Sequence, residues 1–249
     1  MSAGPARHTL SDWLAAHELD EKLCRRILGA SAEQVDAKAI DGGEPVLEDY
    51  VKNPDAGWRA AVEAIGAFFP EHRGFIDQVF DDTDKVQVFG DRPSQRAMTL
   101  DSGADGAPII LYTYSGRPSD LLVMAHEFAH ALQIVASKGR FVTPIMRETC
   151  ALIGEAALIS YMRAKDAGLC ESLDKARRAM DKAYLSCAAL LRNDLADPKA
   201  AYRYAWNYPV ARHLAGEALQ KRPRQRIWTL FEGRLSPRQL LRELEVGGA

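Results

Sequence analysis

Apolar positions recur with two different periods along this chain, and the change of period divides it. From Asp120 to Val135 the residues read DLLVMAHEFAHALQIV, with apolar side chains at Leu121, Leu122, Met124, Ala125, Phe128, Ala129, Leu132 and Val135 and no Gly or Pro. That is the pattern of a buried helix. A second helical run begins at about Pro144 and reads PIMRETCALIGEAALISYM, its proline suited to a first turn. Weaker patterns predict a helix from a Thr9 or Ser11 cap through Leu28, others at Ser31 to Lys38, Ala56 to Phe69 and Glu71 to Phe80, a long amphipathic one from Leu173 to Leu195, and short ones after Pro223 and Pro237. Between Lys85 and Tyr114 the period shortens. Val86 to Phe89, Ala97 to Leu100 and Ile109 to Tyr114 alternate or run apolar between Gly, Pro and Asp turns, which predicts a sheet of three strands. The expected class is mainly α with a small β-sheet (α+β), divided into an N-terminal helical part, 1–82, and a core, 83–249, packed as one unit.

Two histidines in the first helical run, His126 and His130, stand four residues apart, so a helix puts both imidazoles on one face. Glu127 follows the first, where it reaches a water on a metal ion without ligating the ion. Two histidines and a glutamate in an otherwise apolar helix are costly to bury without a metal or partners. A catalytic zinc ion takes a third protein ligand and keeps a position for water. The second helical run offers Glu148 and Glu155, about two turns apart on one face; either can be the ligand, and the other can hydrogen-bond a ligating imidazole.

The run APIILYTYSGRPSDLLVMAHEFAHAL, Ala107 to Leu132, resembles the active-site segment of the thimet oligopeptidase and oligopeptidase F family, and RETCALIGE, Arg147 to Glu155, resembles that family's second zinc helix. The resemblance covers about fifty residues. It implies a zincin-like core holding one Zn2+ per chain, with His126, His130 and Glu148 as ligands, Glu127 as general base and Glu155 on a further acidic position. Two departures are visible: Ala129 stands where the family usually has Gly, and the loop between the two helices is shorter. Family members are also much longer, and the helical domain that walls their channel has little counterpart, so a more open cleft is expected. The family places Tyr or His on a late helix facing the metal; here the segment Ala200 to Leu219 supplies Tyr208, Tyr204 and His213, in that order of preference, as oxyanion donors. The strand Pro108 to Tyr114 reads equally as an edge strand that pairs with an extended peptide, with Tyr112, Tyr114 and Gly116 as substrate contacts, and as an ordinary sheet strand.

Composition narrows the remaining choices. The chain of 249 residues is 47% hydrophobic and 27% charged, enough for a sizeable core. A net charge of −2 leaves no nucleic-acid footprint, and the basic run Lys221 to Arg226 reads as a solvated turn. Cys24, Cys150, Cys170 and Cys187 lack CxxC spacing and suit a reducing compartment. No run reaches transmembrane length and the N-terminus lacks the apolar core of a signal peptide, so a cytoplasmic protein without membrane contact is expected. The leading expectation is a zinc metallopeptidase acting on peptides or a specific precursor. Its alternatives are an inactive zincin-like binding or assembly protein and a metallohydrolase of a non-peptide amide. Glu127 favours an enzyme, since a structural metal site has no use for it.

Overall fold

The computed structural model describes residues 8–33, 53–88, 97–102 and 106–246. The predicted helix at Ser31 to Lys38 lies outside them beyond Glu33, as does the predicted strand residue Phe89. Thr9 caps the first helix, α1 (Leu10–Ala16), through a reciprocal bond with Asp12. The chain then breaks: Glu18 adopts a left-handed φ of 54°, so the single predicted helix through Leu28 becomes α1 and α2 (Glu21–Glu33). Pro54 opens α3 (Pro54–Phe68), and Pro70 ends it in a short 3-10 turn before α4 (Arg73–Asp82).

Strands β1 (Asp84–Gln87), β2 (Ala97–Leu100) and β3 (Ile109–Tyr112) form one sheet in the order β1-β3-β2, with β1 parallel and β2 antiparallel to β3. Of the two readings of Pro108 to Tyr114, the ordinary sheet strand holds and the edge strand does not. Ile110 and Tyr112 point into the core, while Leu111 sits between Val86 and Met98 on the outer face. A strand apolar on both faces suits the middle of a sheet, and among the described residues the edges are β1 and β2.

The helices that follow match their predicted positions to within a few residues: α5 (Pro118–Ser137), α6 (Pro144–Lys165), α7 (Ala167–Asp194), α8 (Asn207–Lys221), α9 (Arg224–Phe231) and α10 (Pro237–Val246). Among the described residues no helix is long and apolar enough to cross a membrane. Helix α5 is surrounded: α3, α6, α7 and the sheet all pack on it, and Leu122, Ala125, Phe128, Ala129 and Leu132 are fully buried. Burying one such Leu or Phe contributes about 1.5–3 kcal/mol, so packing rather than propensity fixes this helix.

Its closest approach is to α6, and Gly154 permits it. A Cβ there would lie 2.7 Å from the Ala129 Cβ and 2.8 Å from the Ala125 carbonyl oxygen. The smallest residue of this contact therefore stands on α6, opposite Ala129. Gln133, buried one turn past His130, donates to Met146 O at 3.3 Å and to Cys150 Sγ at 3.1 Å, fastening the same two helices. All four cysteines are free thiols.

The chain's beginning is tied to its later segments. Leu10 N donates to Ala200 O at 2.9 Å, and Trp13 Nε1 donates to Asn207 Oδ1 at 2.8 Å. Asn207 is fully buried and donates in turn to the Tyr202 hydroxyl at 3.0 Å and Tyr204 O at 2.8 Å.

Candidate metal centre

Helical spacing places His126 and His130 side by side, their Nε2 atoms 3.2 Å apart. From α6, Glu148 points at the same spot, its Oε2 3.4 Å from His126 Nε2 and its Oε1 3.8 Å from His130 Nε2. One donor atom from each of the three residues falls within 4.8 Å of the others, a group able to hold a metal ion. Glu155, two turns further along α6, accepts from His126 Nδ1 at 2.7 Å. A carboxylate only accepts, so the proton of that bond sits on Nδ1, and His126 Nε2 is the atom left facing Glu148 and His130.

The electrostatics fit a cation. Burial opposes a charged His126, yet the Glu148 and Glu155 carboxylates outweigh it and hold its pKa well above the ordinary histidine value. Burial would likewise raise Glu148, but His126, His130 and a hydrogen bond from Tyr204 bring it down to about 2. His130 is pushed down, chiefly by burial. The Oε2 atom of Glu148 is buried without a hydrogen-bond partner among the described residues, an orphan acceptor beside two imidazoles. Two buried carboxylates and two imidazoles would be an expensive core. The carboxylates that favour a proton on His126 equally favour a metal ion in its place.

Glu127, on the same helix, is held from β2. The Thr99 hydroxyl lies 2.7 Å from Glu127 Oε2 and 2.9 Å from its backbone oxygen, so the strand edge and the carboxylate move together. Tyr204 donates its phenol to Glu148 Oε1 at 2.6 Å, and Tyr208 stands beside it with ring centroids 5.8 Å apart. Burial and the Glu148 charge raise both phenols, which keeps them protonated hydrogen-bond donors. Pro209 falls in the first turn of α8, where its missing N–H would have had no partner.

These groups line a cleft of about 350 Å³ that also takes in Met98 of β2 and Arg147, the residue before Glu148. Four predicted residues do not reach it. Five positions past Tyr208, His213 is turned about 140° around the helix and lines a different cavity with Ile27 and Leu241. Tyr112 is buried edge-on against Trp58, ring centroids 5.0 Å apart. Tyr114 packs against the core, and Gly116, with φ 72°, shapes the turn whose backbone Asp120 caps. Conversely, Thr99 and Arg147 were not singled out by the sequence. A threonine alternating on a short strand and an arginine interrupting an apolar helix are the only signals they leave.

No family model matches the sequence, and no curated protein sequence matches it significantly. In three dimensions the chain is similar to a crystal structure described as a "putative peptidase from Chlamydophila abortus", with 12% identity and a TM-score of 0.62 over 95% of this chain. The chain spans 53% of that structure's length. The likeness shows a shared fold, mainly helical with a small sheet.

Proposed function

We propose that this chain is a zinc-dependent peptidase of the thimet oligopeptidase and oligopeptidase F type. The observation that carries the reading is the convergence of His126, His130 and Glu148 beside a carboxylate, Glu127, that no metal ligand needs and that Thr99 aims from the cleft edge. Two imidazoles and one carboxylate are the donor set of catalytic zinc, with Glu155 fixing the tautomer of His126. Bound there, zinc would polarise the scissile carbonyl and acidify a water molecule.

The rest is done by this chain. Glu127 takes the proton of the attacking water and hands it to the leaving amine. The Thr99 hydroxyl holds that carboxylate at the cleft, and Tyr204 or Tyr208 donates to the oxyanion that develops on the substrate. Among the described residues β2 pairs only with β3, and its Ala97, Met98 and Thr99 line the cleft, so an extended peptide pairs there through its backbone, with little demand on its side chains.

The test is a pair of measurements, metal per chain by elemental analysis and peptide cleavage by wild type against Glu127→Gln. One zinc per chain in both, with cleavage reduced about 10²- to 10⁴-fold in the variant, is the expected result. Stoichiometric zinc with no cleavage of any peptide library would instead make the protein a binding protein. Failure to retain a metal under zinc-replete conditions would overturn the reading altogether.

A further inference from the structure

Beyond the metal centre the cleft opens into a second cavity of about 590 Å³, and the two share Gln133, Ile134 and Arg147 as wall. The turn between α5 and α6 forms its far side. There Lys138 and Gly139 both take left-handed backbone conformations, φ 52° and 75°, which bring Lys138, Arg140 and Phe141 around one opening. Among the described residues three cations, Lys138, Arg140 and Arg147, line this cavity against one acidic residue, Asp101. Arg140 spends a guanidinium N–H on the carbonyls of Ser137 and Glu232, at 3.3 and 3.2 Å, and Arg147 donates Nε to Val142 O at 3.3 Å. These bonds orient the two guanidinium groups and, being to neutral carbonyls, leave their charge in place; among the described residues neither they nor Lys138 form an ion pair. Apolar surface lies alongside, with Phe141 77% exposed and Ile134 on the shared wall.

We infer that this cavity is a specificity subsite for a carboxylate of the substrate, so that the enzyme prefers acidic peptides. The inference rests on the peptidase reading above. Arg147 sits next to Glu148 in sequence and lines both cavities, so a peptide lying along β2 across the metal centre brings a neighbouring residue to it. A guanidinium fork matches a carboxylate in two parallel hydrogen bonds, and an aspartate or glutamate stem covers apolar wall while its head reaches the cations. A lysine there would meet three like charges. The same chemistry is offered by an acidic side chain or by the free C-terminal carboxylate of a short peptide.

The experiment profiles the zinc-loaded protein on peptides carrying Asp, Glu, Ala or Lys at each position on either side of the cleaved bond, each made with a free and with an amidated C-terminus. Expected is a preference in kcat/KM of about tenfold for an acidic over an alanine residue at one position, falling as ionic strength rises. An advantage of free over amidated termini would identify the chain end as the source, and an internal acidic preference the side chain. Arg147→Gln should bring the acidic-to-alanine ratio to within about twofold of unity, and Arg140→Glu should shift it toward lysine. Metal content and circular dichroism of both variants check that the fold is kept, and either variant alone suffices. Wild type that cleaves peptides without acidic preference, or variants that keep the full preference, would overturn the subsite while leaving the peptidase intact. Wild type that cleaves none would overturn both.

Discussion

The two sides of the cleft treat their polar groups in opposite ways. On the α5–α6 side, His126 and His130 are 15% and 14% exposed and Glu148 and Glu155 only 3% and 2%. Tyr204, which also lines the cleft, is 46% exposed, and Phe141 at the second cavity is 77% exposed. A buried ionisable group left unpaired costs several kcal/mol, and Glu148 Oε2 is such a group, so the inner side is the one that stands to gain from an ion. Groups that meet a peptide lose their water only when it binds, and they stay half exposed until then. One side is built to hold, the other to receive.

The largest effect should come from breaking the holding side. Glu148→Ala is expected to abolish zinc binding, while Glu155→Gln should weaken it about 10- to 100-fold through the loosened imidazole of His126. Titration against a competing chelator gives both numbers, and the reverse ranking would make Glu155 the ligand. The receiving side should behave differently. Tyr208→Phe is expected to lower kcat about 10²-fold at unchanged metal affinity. Tyr204→Phe should lower both, because its phenol donates to Glu148; were the two variants alike, the line between the sides would not run between these residues. The smallest change tests rigidity. Gly154→Ala forces a methyl into the Ala129 contact and should cost about 1–3 kcal/mol in denaturant unfolding. Unaltered stability would mean the helix pair yields where it is taken to be stiff.

The same division governs what the sequence could disclose. The holding side rests on local rules: the spacing of His126 and His130, and a second apolar helix carrying Glu148 and Glu155 soon after. The helical boundaries followed from proline and glycine placement to within a few residues, and three strand segments were visible. Strand order was not, because pairing β3 between β1 and β2 is a choice among long-range contacts that alternation does not express. That choice put Thr99 against Glu127, 28 residues apart, and moved the free edge away from Tyr112. The late tyrosines were ambiguous for another reason. A 3-10 turn over Tyr204–Trp206 precedes α8, so a count of helical spacing across it goes out of phase. Arg147 was hidden by its neighbour: beside Glu148 it reads as an ordinary charged residue, and only the turn of Lys138 and Gly139 shows what it faces.

The bond from Trp13 to Asn207 spans 194 residues, and it fixes the backbone on which Tyr204 and Tyr208 stand. Closing so long a loop is entropically the last step a chain favours, whereas α5 and α6 are joined by a short turn and can dock early. The expected order of assembly during synthesis is therefore fixed by connectivity. A nascent chain can gather α5 and α6 before the segment near residue 207 has left the ribosome, and it places Tyr204 and Tyr208 only once its first helix has found that segment. On the proposed peptidase reading, an unfinished chain would hold its ion before it could act on a substrate.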